Sequence, residues 1–427
     1  MLLLLALLII AAAIVAMVRR VDVRLVLLVA GLLMALAAGQ PLAVADTFTR
    51  GMVASMVAPI CAAMGFAALM NATGCDRHLV SLLVLPLRRF RALVLPGGIL
   101  IAYLVNMAVP SQTSTAAALG PILVPLLMAS GYSAVVSGAA LILGASFGGD
   151  LLNPGAQDVQ AIAGVSGISA PELSARVIPA GIAGAIVAAI VFTTLNRAGD
   201  AAPETRPEDS PRVDPLRALI PLVPIVLLLL AYAGFAPLAW LLVPPPGDEW
   251  RVLASALPVV RAMLIGALLA LLVAWRELQT LTRSFFDGMG AAYASIISLT
   301  ITAQCFGAGI AAVGLADALL AGARAAGALT LLAAAFPWAL ATLSGSGSGP
   351  ILAFAQTFLV QFDASPESVR LAAAACFGGA FGRTMSPVSA VVVYTAGLVG
   401  VSPIALIRRF LPALAVGGAV AIGLALL

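Results

Sequence analysis

Two hydroxyl-rich islands, Ser111-Gln-Thr-Ser-Thr115 and Ser344-Gly-Ser-Gly-Ser348, interrupt long apolar runs and lie 233 positions apart. The same offset carries Pro154 onto Pro387, Gly164 onto Gly397, Ser169 onto Ser402, Arg176 onto Arg409 and Pro179 onto Pro412, without a gap. Abundant small residues can match by chance; prolines and arginines at one fixed spacing point instead to duplication. An apolar chain with polar interruptions at matching depth in both halves has the pattern of a secondary transporter.

Such a chain belongs in a bilayer. Its residues are 62% hydrophobic and only 9% charged, with a mean hydropathy of +1.13, too little charge to cover a soluble surface. Apolar runs near helical spanning length recur throughout. The basic balance is no nucleic-acid signal. The 22 basic residues are all Arg, and most sit in short loops, where they set orientation. Cys61, Cys75, Cys305 and Cys376 form no CxxC pair, so they read as small apolar residues rather than metal or redox groups. The start of the chain lacks a basic n-region and a cleavage site, and reads as a first span rather than a signal peptide.

The arginines allow a topology. Spans are expected near 2–18, 25–39 and 52–71, with Arg19, Arg20 and Arg24 on the cytoplasmic side. A basic stretch with Arg77, His78, Arg88, Arg89 and Arg91 follows, and within it 79–87 reads as an amphipathic interfacial helix. Apolar arms at 92–109 and 117–130 flank the tip 111–115. That tip is too polar to face lipid, so the segment is expected to be a re-entrant hairpin. Residues 132–163 form a span broken at Gly148-Gly149-Asp150 and Asn153-Pro154-Gly155, and 177–195 closes the first half. Residues 196–217 are charged and proline-rich, a cytoplasmic linker between halves 1–195 and 218–427. The second half repeats the plan: spans near 218–236, 253–274 and 285–314, a hairpin at 326–362 with its tip at 344–349, a broken span at 368–400 and a last span at 404–427. Five crossings per half invert the second relative to the first. The expected fold is an all-α polytopic membrane protein, an inverted repeat with two re-entrant hairpins and two broken helices.

Hairpin tips and broken helices free backbone groups. Helix N-termini suit a carboxylate, and freed carbonyls and hydroxyls suit a small cation. Arg383, expected inside the second break, is the one Arg placed deep in the membrane, where an unpaired guanidinium is costly. Two readings stand: a two-point ligand for a carboxylate, or a structural partner of Asp150, its counterpart at the offset of 233. Asp150 and Asp158, with Gly149, are candidates for proton or ion coupling; for Asp158 a helix cap after Pro154 is the bland alternative. Asn153, Thr384 and Ser386 are candidate polar contacts, against the alternative of bonds to the preceding helical turn.

The runs Gly65 to Met70 (Gly-Phe-Ala-Ala-Leu-Met), Ser344 to Pro350 (Ser-Gly-Ser-Gly-Ser-Gly-Pro) and Gly382 to Val393 (Gly-Arg-Thr-Met-Ser-Pro-Val-Ser-Ala-Val-Val-Val) resemble the anaerobic C4-dicarboxylate carriers of the DcuC type. The resemblance runs from about 45 to 412 and places the chain with the ion transporter superfamily. It implies uptake, efflux or exchange of succinate, fumarate, malate or aspartate, coupled to a sodium ion, a proton or a counter-substrate. It further implies an elevator motion, a homodimer, a multi-pass location in a bacterial inner membrane, and no organic cofactor. By this resemblance the substrate-binding tips are Ser111, Gln112 and Thr113, and Ser344, Gly345 and Ser346, with a candidate sodium position near Ser111, Thr113 and Gly149. The Asn of the family's Ser-Asn-Thr tip is replaced by Gln112 and Gly345. An ion-only antiporter or channel on the same repeat is the alternative. Arg383 and the paired hairpins argue against it, and the absence of zinc motif, nucleophile elbow and lysine argues against an enzyme.

Overall fold

The structure, a computed structural model, describes residues 2–19, 21–54, 57–85, 93–109, 111–196, 213–247, 250, 256–325, 327–362 and 365–427. The basic residues Arg20, Arg88, Arg89 and Arg91 and most of the linker lie outside the described residues. The first half forms ten α-helices: α1 (Leu2–Val18), α2 (Val23–Ala37), α3 (Pro41–Met52), α4 (Val57–Thr73), α5 (Cys75–Val84), α6 (Val94–Ala108), α7 (Gln112–Ala129), α8 (Ala134–Ser146), α9 (Gln157–Ser166) and α10 (Ala170–Leu195). The second half follows with α11 (Pro215–Leu219), α12 (Val223–Tyr232), α13 (Leu257–Val273), α14 (Leu278–Ala292), α15 (Ser298–Ala312), α16 (Leu315–Ala325), α17 (Leu329–Ser344), α18 (Ser348–Thr357), α19 (Pro366–Met385), α20 (Ala390–Val399) and α21 (Pro403–Leu426).

Among the described residues six helical segments are long and apolar enough to cross a membrane, or seven if α3 and α4, bent by 48°, count as one. Shorter apolar helices include α2, α6, α13 and α17. Three segments differ from the sequence expectation. Residues 41–52 and 315–325 are helices in their own right, and the span expected to start near 285 begins a full two turns earlier. These pieces (Leu278-Gln-Thr-Leu-Thr-Arg-Ser in α14) carry polar residues on one face, which lowers mean hydropathy without breaking the helix. A π-helical turn at Tyr293–Ile297 joins α14 to α15, and Ala294 O there accepts Arg24 Nη1 at 2.8 Å.

The ends of both halves carry matched signals. At the offset of 233, α9 corresponds to α20 and the start of α10 to the start of α21. Gly167 and Gly400 end α9 and α20 at φ 71° and 69°, a left-handed turn that costs glycine little. Ser169 and Ser402 then cap α10 and α21 through Glu172 N and Ala405 N.

Packing divides the apolar interior. A large cluster joins α1, α2, α5 to α10 and α15 to α21, with Phe147, Phe192, Phe377 and Phe410 fully buried. A second joins α4, α12, α13 and α14 through Phe66, Leu228, Met263 and Leu281. In the first cluster α17 packs along α19 and α6 along α8. Across the halves, α7 meets α20 and α18 meets α9.

The two breaks are built differently. In the first, Gly148 adopts φ 97°, residues Gly149–Leu152 form one 3-10 turn, and Asn153 is extended before α9. In the second, α19 runs unbroken to Met385 and only Ser386 to Ser389 leave helical geometry. The expectation that Arg383 sits inside the break is therefore corrected: it lies in the last turn of α19. The glycines that suggested a break serve close packing instead. A Cβ on Gly378 or Gly382 would run into the backbone carbonyl of Ala334 or Trp338 on α17. The helix stops where Pro387 disfavours helical geometry at Ser386, which sits at φ −78°, ψ 124°.

Candidate substrate site

Four helices begin around one cavity of about 160 Å³. Gln112 and Thr113 open α7, Gln157 opens α9, Ser348 opens α18, and Ser389 precedes α20. Only α7 has a side-chain cap: Ser111 Oγ accepts from Ser114 N at 3.3 Å. The other three starts have none, so first-turn N–H groups and the positive ends of three helices border the same space. Gly345 makes the turn between α17 and α18 at φ 74°, and a Cβ there would lie 3.1 Å from Ser389 N. The second tip thus sits directly on the start of α20. Gln157 Nε2 donates to Ser348 Oγ at 3.1 Å and ties the starts of α9 and α18 together.

Arg383 forms one wall of the cavity and is 5% exposed. Its Nη2 lies 3.6 Å from Asp150 Oδ2 and its Nη1 lies 3.6 Å from Asp158 Oδ2. Both distances allow ion pairing but exceed hydrogen-bond length. Nε and Nη2 have no hydrogen-bond partner among the described residues. Asp150 Oδ2 also accepts from Gln112 Nε2, and Asp150 N donates to Asn106 Oδ1 at 2.9 Å. Gly347 lets the second tip approach: a Cβ there would come within 3.1 Å of Arg383 Nη1.

The site residues read from sequence fall into two groups. Gln112, Thr113, Gly345, Ser346 and Arg383 line the cavity. Ser344 and Ser346 also line a vestibule of about 970 Å³ beside the α1–α2 connection, with Asp22 and Arg24. Ser111 is spent on its cap. Asn153 Nδ2 donates to Met107 O and its Oδ1 accepts from Gly155 N, while Thr384 Oγ1 bonds Ser146 O at 2.6 Å and, in the preceding turn, Ala380 O at 2.8 Å. Gly149 packs against Tyr103 O, with no room for an added group. Ser386 Oγ is buried and unpartnered among the described residues. Asp158 caps nothing: Ala156 holds the cap position, and the carboxylate turns to Arg383.

Gln157, Ser389 and Asn106 were missed. The first two could have been found by asking which residues begin each half-helix, since the offset aligns Gln157 with Ala390. Asn106 gave no signal, because an Asn in an apolar helix does not reveal which backbone it will meet.

The family described as C4-dicarboxylate anaerobic carrier, DcuC, matches residues 46–427. A putative uncharacterized transporter of Haemophilus influenzae is 28% identical over 61% of this chain and 95% of its own length. The anaerobic C4-dicarboxylate transporter DcuC of Escherichia coli K12 is 26% identical over 81% of this chain and 75% of its own. Among solved structures, the YdaH transporter of Alcanivorax borkumensis, described as having an unusual topology, covers 90% of this chain and 85% of its own at a TM-score of 0.58 and 18% identity. That likeness speaks to the fold alone.

Proposed function

The chain belongs to the C4-dicarboxylate anaerobic carrier family, and from that premise we propose that the cavity beside Arg383 is its dicarboxylate site. The protein is a multi-pass secondary transporter and not an enzyme. The observation that carries the site assignment is the meeting of uncapped helix starts and one buried guanidinium at a single cavity. Each helix start favours negative charge, and Arg383 offers a planar pair of donors matched to a carboxylate. Gln112, Thr113, Gly345 and Ser346 close the cavity from the two tips. Ser389 Oγ, without a partner among the described residues, is a further donor available to a carboxylate.

We further propose an inverted repeat that works as an elevator in a homodimer. On this reading α6–α10 and α17–α21 would move as one block against a scaffold that includes α4, α12, α13 and α14, which share an apolar cluster of their own. Labelled succinate counterflow into proteoliposomes tests the substrate class, with fumarate, malate and aspartate as competitors. Saturable counterflow inhibited by these dianions is expected; counterflow absent for all four would contradict it. Cysteine pairs linking residues 90–195 to 253–314 test the motion, and undiminished counterflow after crosslinking would rule it out.

A further inference from the structure

The cavity beside Arg383 holds acceptors that a plain dicarboxylate cannot use. Gln157 lines it at the start of α9. Its Nε2 is committed to Ser348 Oγ, and its Oε1 is buried without a hydrogen-bond partner among the described residues. Gln112, at the first tip, has the same disposition. Its Nε2 donates to Asp150 Oδ2, and no donor among the described residues reaches its Oε1. A carboxamide oxygen accepts and never donates. Ionised succinate and fumarate offer acceptors alone, so neither can satisfy these oxygens, and a buried acceptor left bare is costly.

The neighbouring acids add to the excess. Asp158 follows Gln157 on α9, and both of its oxygens are buried without a hydrogen bond among the described residues, as is Asp150 Oδ1. These two carboxyls share one guanidinium, at 3.6 Å each. The described elements packed on α9 bring no second cation to them. Helices α4 and α18 carry no basic residue, nor does the short turn Leu359–Gln361. Arg176 of α10 is bound to Ala425 O, and Arg370 lies at the far end of α19. Arg383 itself keeps Nε and Nη2 free of hydrogen bonds among the described residues, as donors for a carboxylate. A ligand matched to this wall brings an anion for Arg383 and, close to it, a cationic donor for the acceptors. In a 2-amino dicarboxylate the ammonium stands on the carbon next to a carboxylate, which is that pattern. A hydroxyl at the same carbon supplies the donor without the charge.

We infer that Gln157 sets the specificity of the site: its Oε1 accepts a hydrogen bond from an ammonium on C2 of the ligand, so the preferred substrate is a 2-amino C4 dicarboxylate, aspartate being the simplest, over succinate or fumarate. This rests on the dicarboxylate reading of the site. One charge-assisted hydrogen bond, set against an acceptor that succinate leaves bare, should make aspartate bind about 10- to 100-fold more tightly than succinate. Water entering with succinate can cover part of the difference, which keeps the preference within that range.

Equilibrium binding of labelled aspartate and labelled succinate to the purified full-length protein, at one pH and one ionic strength, tests this. Wild type, Gln157→Leu and Ser348→Ala are compared by the ratio of the two affinities. Wild type is expected to favour aspartate. Gln157→Leu should bring the two ligands within about threefold of each other, chiefly by weakening aspartate. Ser348→Ala breaks the same hydrogen bond to Gln157 but leaves Oε1 in place, and should keep the preference for aspartate. A purely structural role for Gln157 would move both affinities together and leave the ratio alone. Equal binding of both ligands to wild type, a preference that survives in Gln157→Leu, or a preference lost equally in Ser348→Ala overturns the assignment and leaves the dicarboxylate reading standing. Binding of neither ligand to wild type removes the dicarboxylate reading, and this inference with it.

Discussion

The two tips are related by the sequence offset of 233, yet the first is held by its own cap and by Asp150, and the second by one bond from Gln157 to Ser348. In the first, Ser111 caps α7 and Gln112 reaches Asp150. In the second, the hydroxyl of Ser344 is bonded only within the tip, to Ser346, and Gly345 and Gly347 remove side chains where the tip meets Ser389 and Arg383. The breaks differ in the same sense. The first places an acid on a 3-10 turn, and the second places a guanidinium at the end of an intact helix. Asp150 and Arg383, related by the offset of 233, face each other. On the proposed repeat these are two copies of one construction, and on the proposed site a few positions make one the support and the other the ligand-facing surface.

Substitutions at equivalent positions can break this comparison, and the largest effect belongs to Arg383. Arg383→Ala should abolish counterflow. Arg383→Lys keeps the charge but loses the two-point grip, and should weaken succinate binding by about 30- to 1000-fold, corresponding to about 2–4 kcal/mol. A lysine variant within threefold of wild type would mean that charge alone suffices. Next come Gly347→Ala and its counterpart Ser114→Ala. The first puts a Cβ 3.1 Å from Nη1 and should cost about tenfold in affinity, or about 1.4 kcal/mol. The second removes a hydroxyl with no hydrogen-bond partner among the described residues and should leave affinity unchanged. Equal losses would erase the distinction between the two tips. The smallest effect is Ser111→Ala. Loss of its cap should lower stability by about 1 kcal/mol in thermal or denaturant unfolding, with affinity within about twofold. A large affinity loss there would make the first tip a ligand-facing surface as well.

Much of this architecture was legible in the sequence because membrane depth punishes irregular backbone. Ser111–Thr115 and Ser344–Ser348 had to be protected tips, and Gly148 with Pro154 had to mark a break. The second break was misplaced because glycine has two uses that look alike in sequence. Gly378 and Gly382 admit the backbone of α17 at close range, whereas Gly148 takes up a left-handed turn. The pairing of Asp150 with Arg383 followed from the offset. The involvement of Asp158 did not, because its position after Pro154 fits a cap equally well and only three-dimensional packing turns it toward the guanidinium. Thr384 and Asn153 were drawn to the site by their polarity; both spend it on neighbouring backbone.

The central claim is that Arg383 binds substrate and is not merely the partner of Asp150. Removing Arg383 alone leaves two buried acids unpaired, so a loss of transport there has two explanations. The triple variant Asp150→Asn, Asp158→Asn and Arg383→Gln removes both ion pairs and keeps hydrogen-bonding groups of similar shape. Succinate binding to this purified protein, with its thermal unfolding measured alongside, is the most direct test. A stably folded triple variant without saturable succinate binding is the expected result. A folded triple variant with near wild-type affinity would contradict the assignment and make Arg383 a purely structural residue.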